Sequence, residues 1–241
     1  MMEWLTSPEI WAAFFTLLAL EVVLNIDNVI FLSIITAKLP PAQRPRARRI
    51  GILLALVFRI AFLSALTWLI GLTKPLFELF GQEVSWRDII LFAGGLFLLW
   101  KGTTEIHAET EDKEHDGRAA TKAAFGAVIV QIVLIDLVFS LDSILTAIGM
   151  TNNLPVMIAA VVVSLVIMLA AANPIADFVN RHPSVKMLAL AFLLLIGVAL
   201  VADSLHFDIP RGYLYFAVAF SAMVEALNLF ASRKKKRQKA P

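Results

Sequence analysis

The stretch Glu21-Val-Val-Leu-Asn-Ile-Asp27-Asn28 lies inside a long apolar segment, and Asp136-Leu-Val-Phe-Ser-Leu-Asp142-Ser143 repeats its pattern 115 positions later. Each of these two acidic stretches has a carboxylate, three apolar residues, a small polar residue, an apolar residue, a second carboxylate and a small polar residue. A charged Asp at the centre of a membrane-spanning helix is unfavourable by roughly 2.5–3.5 kcal/mol. Four carboxylates in matching positions therefore indicate a cation, a proton or a basic partner within the membrane.

Composition supports a membrane location for both acidic stretches. Of the 241 residues, 59% are hydrophobic and 17% are charged, and there is no cysteine. A span needs about 20 apolar residues, which predicts an all-α polytopic protein with seven transmembrane helices. The predicted spans are residues 10–36, 50–72, 88–106, 122–150, 154–173, 186–205 and 212–231. The third has an uninterrupted apolar core of only 12 residues, 89–100, so a re-entrant segment or a short buried helix is the alternative.

The distribution of basic residues predicts the topology. With seven crossings, 17 of the 21 Lys and Arg residues fall on one side, and Arg59 lies inside the second span. The other side has three, Lys74, Arg87 and Arg211. The positive-inside rule predicts a multi-pass protein of the cell (inner) membrane with its N-terminus outside and its tail, 232–241, in the cytoplasm. A net charge of +2 on dispersed residues gives no indication of nucleic-acid binding.

The spacing of the acidic stretches predicts an internal repeat. Three spans separate them, so the first and fourth spans cross in opposite directions, as in the inverted repeats of secondary transporters. The predicted organisation is one domain over residues 1–241. It comprises repeat one at 10–106, an acidic loop at 107–121, repeat two at 122–205, a seventh helix at 212–231 and the basic tail.

The antiparallel arrangement also predicts the depth of each carboxylate. If the helices cross midway along each acidic stretch, Glu21 shares a level with Asp142, and Asp27 shares a level with Asp136. Six residues of helix separate the two levels by about 9 Å.

Helical phase divides the polar residues of each stretch. One face carries Glu21, Asn25 and Asn28, and the equivalent face carries Asp136, Ser140 and Ser143. Asp27 and Asp142 lie roughly 120° around from the first carboxylates. We expect the helices to unwind, bulge or bend near 24–28 and 139–143, freeing carbonyl groups as ligands. Alternatively, the second carboxylates face a separate partner such as Arg59.

The ligand chemistry favours a hard divalent cation. Carboxylate, amide and hydroxyl oxygens suit Mg²⁺, Ca²⁺ or Mn²⁺, whereas softer metals prefer sulfur and imidazole. The predicted metal ligands are Glu21, Asn25, Asp27, Asn28, Asp136, Ser140, Asp142 and Ser143. The alternative is that these residues only form hydrogen bonds between helices, without transport.

Three further polar residues are additional candidates for the site. Arg59 is either a structural counter-ion to Asp27 or Asp136, or a gate that occupies the site when no cation is bound. Glu225 and Asn228 share a face of the last span and either complete the site or bond across helices.

The end of the third span carries weaker signals. Glu105 and His107 precede an acidic loop that includes His115, which is either a solvated loop or a collector of ions. Gly94-Gly95 and Gly197 predict close packing between helices.

Several motifs together resemble the TerC family of integral membrane proteins. They are the two acidic stretches continued to Phe31 and Ala147, Gly94-Gly95 through Glu105-Ile-His107, Arg181-His-Pro-Ser-Val-Lys186, Gly212-Tyr-Leu-Tyr-Phe216 and Glu225-Ala-Leu-Asn228. The resemblance covers nearly the whole chain and implies a seven-helix protein. It departs at Asn25, where many relatives carry Gly, and the chain ends without the appended cytoplasmic CBS domains of some relatives.

The resemblance also implies a function. Relatives of this kind resemble manganese exporters, so the expected function is export of a divalent cation, Mn²⁺ first, through the acidic stretches. Export of another ion or small solute, or a non-transporting scaffold in metal or tellurite stress resistance, is the alternative. We expect no enzymatic activity and no prosthetic group, because no nucleophile motif joins the carboxylates. The expected partners are the lipid bilayer and the metal ion, and a homo-oligomer is left open.

Overall fold

The computed structural model describes residues 7–65, 73–79, 81–111, 122–150, 153–207 and 209–238. The described residues form seven helices and one β-hairpin. The helices are α1 Pro8–Ala37, α2 Arg44–Ser64, α3 Trp86–Thr110, α4 Lys122–Met150, α5 Leu154–Arg181, α6 Pro183–Ser204 and α7 Arg211–Gln238. The hairpin pairs β1 Pro75–Leu79 with β2 Gln82–Ser85 in antiparallel fashion.

The helices agree with most of the predicted spans. Among the described residues, five segments are long and apolar enough to cross a membrane: Pro8–Thr36, Trp86–Thr110, Leu154–Arg181, Pro183–Ser204 and Gly212–Ala231. α3 is one continuous helix of 25 residues, so the alternative of a re-entrant or short third segment is wrong. In α4 only the shorter segment Ala124–Ser140 meets the criterion for an apolar helix, and residues 66–72 lie outside the described residues. Seven crossings therefore stay a prediction.

The β-hairpin is a difference from the predicted all-α class. Its turn contains Gly81 at φ +80°, a backbone conformation that glycine adopts without strain. The hairpin is followed at once by α3. Ser85 begins this helix: its backbone N–H and its hydroxyl donate to Asp88 Oδ2 at 2.9 and 2.6 Å, and Asp88 N–H donates back to Ser85 Oγ at 3.3 Å. This reciprocal capping explains why the helix begins at Trp86.

The end of α5 also differs from the prediction, which placed it at residue 173. α5 continues through Pro174 to Arg181. Proline lacks the N–H that would donate one turn back, but apolar membrane helices tolerate this loss when neighbouring groups satisfy the freed carbonyl. A proline in an apolar segment is therefore a weak stop signal.

The described helices divide into two compact units. The first comprises Met1–Ile90 and Lys113–Arg181, and the second comprises Leu91–Asp112 and His182–Pro241. In the first unit α1 packs mainly against α5, and α2 contacts α4 and α5. Its core contains fully buried Leu17, Ile52 and Leu165. Each unit therefore draws helices from both predicted repeats.

Close packing in the second unit depends on two glycines, as predicted. A Cβ atom added to Gly95 of α3 would lie 2.8 Å from the carbonyl oxygen of Gly197 and 3.0 Å from the backbone nitrogen of Val201. A Cβ atom added to Gly197 of α6 would lie 3.0 Å from Leu99 Cγ. Because backbone atoms make the closest contacts at Gly95, neither helix can accommodate a side chain there without moving.

Gly95→Ala is expected to lower the thermal midpoint of the purified protein in detergent, because it forces α3 and α6 apart. Overpacking of this kind destabilises by about 1–3 kcal/mol. Gly126→Ala is the matched control on α4, since its Cβ would meet no atom within 4 Å. Removing a glycine from a helix interior should leave the control unchanged or stabilise it by up to about 1 kcal/mol. Equal thermal midpoints for Gly95→Ala and wild type would contradict the close contact.

Candidate functional site

A buried ion-pair cluster joins three helices of the first unit. Arg59 of α2 binds Glu21 of α1 through Nη1 and Oε2 at 2.7 Å, and it binds Asp136 of α4 through Nη2 and Oδ1 at 2.9 Å. Its Nε also donates to Asp136 Oδ2 at 3.3 Å, so the contact with Asp136 is bidentate. The side chains of all three residues are less than one tenth exposed. Arg59 thus bridges the first carboxylates of the two acidic stretches.

Neutral side chains surround this bridge. Ser140 Oγ donates to Asp136 Oδ2 at 3.1 Å, one turn along α4. On α1, the amide nitrogen of Asn25 lies 3.4 Å from Glu21 Oε2 and 3.5 Å from Ser164 Oγ of α5. All of these residues are buried. The predicted sharing of a helix face is confirmed for Glu21 with Asn25 and for Asp136 with Ser140.

Ser164 is a member of this network that the sequence analysis did not identify. It is 1% exposed, and its hydroxyl donates to Val161 O at 2.9 Å besides contacting Asn25. The available signal was weak: Ser164 is a single hydroxyl in an apolar stretch of α5. Such a residue satisfies its own helix backbone so readily that sequence alone gives no reason to expect a role between helices.

The formal charges of the bridge do not cancel. Two carboxylates and one guanidinium carry a net charge of −1 when all are ionised. Desolvation of buried charges is unfavourable by several kcal/mol per ion, and only close, well-oriented partners offset it. The geometry of the bridge meets that requirement for Arg59, and it leaves an excess of negative charge in an apolar interior. A cluster of this kind favours the approach of a further cation or a proton.

The backbone of both acidic stretches is regular. α1 and α4 remain α-helical through residues 24–28 and 139–143, with no π-turn or unwound segment. The expectation that these helices loosen to free carbonyl groups is therefore wrong. An apolar helix satisfies all its backbone groups internally, which outweighs the advantage of turning Asp27 and Asp142 towards the first carboxylates.

The predicted depths of the carboxylates also need correction. A guanidinium is one rigid planar group, so Glu21 and Asp136 must lie at one level to contact it together. The prediction placed them on separate levels because it assumed a crossing midway along each acidic stretch. The side chain of Arg59 instead brings the first carboxylates together.

Three predicted ligands cannot be compared with the structure. The side chains of Asp27, Asp142 and Ser143 lie outside the described residues. Within the part of the chain that the structure describes, no group of three or more Asp, Glu, His or Cys side chains is arranged to hold a metal ion. The eight-residue ligand set therefore stays a prediction.

The additional candidates lie in the second unit. Glu105 is buried and paired with Lys101, whose Nζ lies 2.6 Å from Glu105 Oε1 one turn earlier on α3. Glu225 accepts a hydrogen bond from Ser184 Oγ at 2.5 Å, and Asn228 is exposed on α7. His107 is exposed and lies 3.1 Å from Glu111, in keeping with a solvated loop. His115 of the acidic loop is outside the described residues.

A cavity of about 330 Å³ adjoins the bridge within the first unit. Asn28 and Asp136 line its polar end, and apolar residues of α1, α2, α4 and α5 form the rest. The lining reaches Ile35 and Gly51, near the ends of α1 and α2 that the connection 38–43 joins. The cavity therefore extends from the bridge towards a connection rich in basic residues.

Arg48 lies close to this connection and is a second buried arginine. It is 6% exposed, and its Nη1 is 3.5 Å from Ala172 O of α5. Burial lowers the pKa of the Arg48 guanidinium, and the carboxylate of Asp177 partly offsets this effect. The group remains a cation at neutral pH because an arginine pKa is so high. The sequence analysis treated Arg48 only as one of the loop's basic residues.

The exterior of the molecule is as apolar as its interior. On α7, Tyr213, Phe216 and Phe230 are each 68–70% exposed. Large exposed apolar residues around buried charges are the opposite of a water-soluble fold and suit a hydrocarbon solvent. With five helices of spanning length, these features define a multi-pass, α-helical integral membrane protein.

Comparison with known proteins identifies the family. Residues 6–240 match the model of the integral membrane protein TerC family, and the chain belongs to this family. It is 52% identical over 231 residues to the UPF0053 inner membrane protein YgdQ of Escherichia coli K12, covering 96% of this chain and 97% of that protein. A UPF0053 protein of Haemophilus influenzae is 48% identical, covering 95% and 97%. The inner membrane protein YoaE of Escherichia coli K12 is 50% identical, covering 96% of this chain and 45% of that longer protein. No solved structure matches.

Proposed function

We propose that this protein exports a divalent metal cation, Mn²⁺ first, across the inner membrane through the bridge and the second carboxylates Asp27 and Asp142. The observation that carries the proposal is the buried contact of Arg59 with both Glu21 and Asp136. Equivalent residues of two matching stretches meet at one cation there. A site that already holds one positive charge between paired carboxylates is suited to exchanging it for another.

Arg59 serves in this proposal as the counter-ion of the site when no metal is bound. Its guanidinium satisfies Glu21 and Asp136 and prevents them from being left as unpaired buried charges. A divalent cation that binds these oxygens relieves the arginine of that role. Arg59 is thus both the structural partner and the gate, two roles that the sequence analysis treated as alternatives.

The predicted topology supplies the direction of transport. The cavity extends towards the connection 38–43, and the positive-inside rule assigns that side to the cytoplasm. A cation would therefore approach from the cytoplasm. The inverted repeats 10–106 and 122–205 are part of the same proposal, because alternate opening of the two halves would release the cation on the other side.

Selectivity follows from the chemistry of the donors. The described donors are carboxylate, amide and hydroxyl oxygens, which suit hard cations. Mn²⁺ is preferred among them because of the resemblance to manganese exporters. A scaffold without transport is the second candidate, supported by the fact that the described donors already satisfy one another to a large extent.

Purified protein in liposomes should release entrapped Mn²⁺ at a rate well above that of empty liposomes. A fluorescent metal reporter outside the vesicles measures the release, and Mg²⁺, Ca²⁺ and Zn²⁺ loaded in turn test the preference for hard cations. Heat-unfolded protein reconstituted at the same amount controls for leakage. Absence of flux with every cation, in protein that elutes as a single folded species, would favour the scaffold.

A further inference from the structure

The polar end of the cavity contains an amide oxygen without a partner. Asn28 is 8% exposed, and its Nδ2 donates to Asn25 Oδ1 at 3.3 Å. Its Oδ1 is buried and accepts no hydrogen bond from any residue that the structure describes. Leaving a buried acceptor unsatisfied is unfavourable by about 1–3 kcal/mol. Native proteins rarely retain such a group unless a ligand or an ion uses it.

Asp136 at the same end retains capacity for another contact. Its two oxygens accept three hydrogen bonds, two from Arg59 and one from Ser140. A carboxylate has about four lone-pair positions, so one remains. Asn28 and Asp136 line one cavity, and its other walls are apolar. The only strong oxygen donors that the described walls offer are therefore these two.

We infer that Asn28 Oδ1 and Asp136 form an entry site for a partly hydrated divalent cation, reached through the cavity before the cation contacts Glu21. This inference rests on the proposed function and adds the order in which the oxygens act. Two protein oxygens suit an ion that retains several waters. The entering cation competes with Arg59 for Asp136, which couples its arrival to opening of the bridge.

The affinity of Asn28→Leu for Mn²⁺ is expected to be roughly tenfold weaker than that of wild type, because one of two ligands is lost while side-chain volume is kept. Asn28→Asp should bind Mn²⁺ more tightly. Titration with Mn²⁺ alone, followed by electron paramagnetic resonance of protein in lipid nanodiscs, measures the affinity. The thermal midpoint of Asn28→Leu should stay close to wild type, since the unsatisfied oxygen is also removed. A purely structural Asn28 would lower the midpoint and leave the affinity unchanged.

Gln43→Leu is the matched control. Gln43 Oε1 is also buried without a hydrogen-bond partner among the described residues, but Gln43 is not part of the cavity wall. Its replacement should leave Mn²⁺ affinity unchanged. A second variant, Ala55→Leu, fills the cavity and leaves both oxygens in place. It should slow Mn²⁺ binding in stopped-flow mixing more than it weakens affinity at equilibrium.

The outcomes separate the entry site from the proposed function. Affinity that depends on Asn28, in a protein without Mn²⁺ flux, supports the site and overturns export. Normal flux and normal affinity in both Asn28→Leu and Ala55→Leu overturn the site and leave export standing. Wild-type protein that binds no Mn²⁺ overturns both.

Discussion

Arg59→Leu is expected to leave little folded protein in the membrane. Glu21 and Asp136 would remain buried with no cation between them. Removing one partner of a buried ion pair destabilises by about 3–5 kcal/mol, a large part of the stability of a typical domain. Expression in membranes and the thermal midpoint in detergent measure the effect. Arg46→Leu is the matched control, because Arg46 is an exposed arginine of the same helix, and it should fold normally.

Neutralising the whole cluster should restore folding. The triple variant Glu21→Gln, Arg59→Leu, Asp136→Asn removes both carboxylate charges together with the guanidinium. Replacing a complete buried ion cluster by neutral groups is often close to neutral for stability. Wild-type stability in Arg59→Leu alone, or an equally unstable triple variant, would contradict the assignment of Arg59 as the counter-ion of these two residues.

Combined replacement of Asp27 and Asp142 by Asn is expected to abolish Mn²⁺ efflux from liposomes. Asn keeps side-chain volume and hydrogen-bonding capacity but removes the charge that a divalent cation requires. Each single variant should already lose most activity. The variants should insert and fold, because removing a charge from the membrane interior is favourable.

Neutralisation of Glu111, Asp112 and Glu114 together is the control for this experiment. These residues belong to the acidic loop, and most activity should remain without their charges. Undiminished efflux in the variant lacking Asp27 and Asp142 would remove the second carboxylates from the mechanism. It would leave the bridge to be tested through Asp136.

Sequence patterns predicted some contacts correctly because they depend on a single helix. Positions one turn apart share a helix face, so the contacts of Asn25 with Glu21 and of Ser140 with Asp136 follow from spacing. The same argument overestimated the need to unwind α1 and α4. It treated all four carboxylates as ligands of one site and did not weigh the backbone hydrogen bonds that unwinding would break.

The partner of Arg59 shows where this reasoning stops. Spacing offered Asp27 or Asp136, and the guanidinium in fact contacts Asp136 together with Glu21. α1 is apolar on nearly all sides, so hydrophobic periodicity does not indicate which face meets α2. Helix rotation and crossing level come from side-chain packing among α1, α2, α4 and α5. Sequence separation contains no information about these quantities.

The sequence by itself determined that this chain is an α-helical membrane protein of the TerC family, and it singled out the acidic stretches as its functional centre. Those conclusions depend on composition, span length and local spacing, which a linear chain carries in full. Only the tertiary structure decided that Arg59 joins Glu21 to Asp136, that Ser164 completes their network, and that Asn28 opens onto a cavity. Each of these contacts links residues of different helices. Their geometry depends on how the helices pack, which no pattern along one helix specifies.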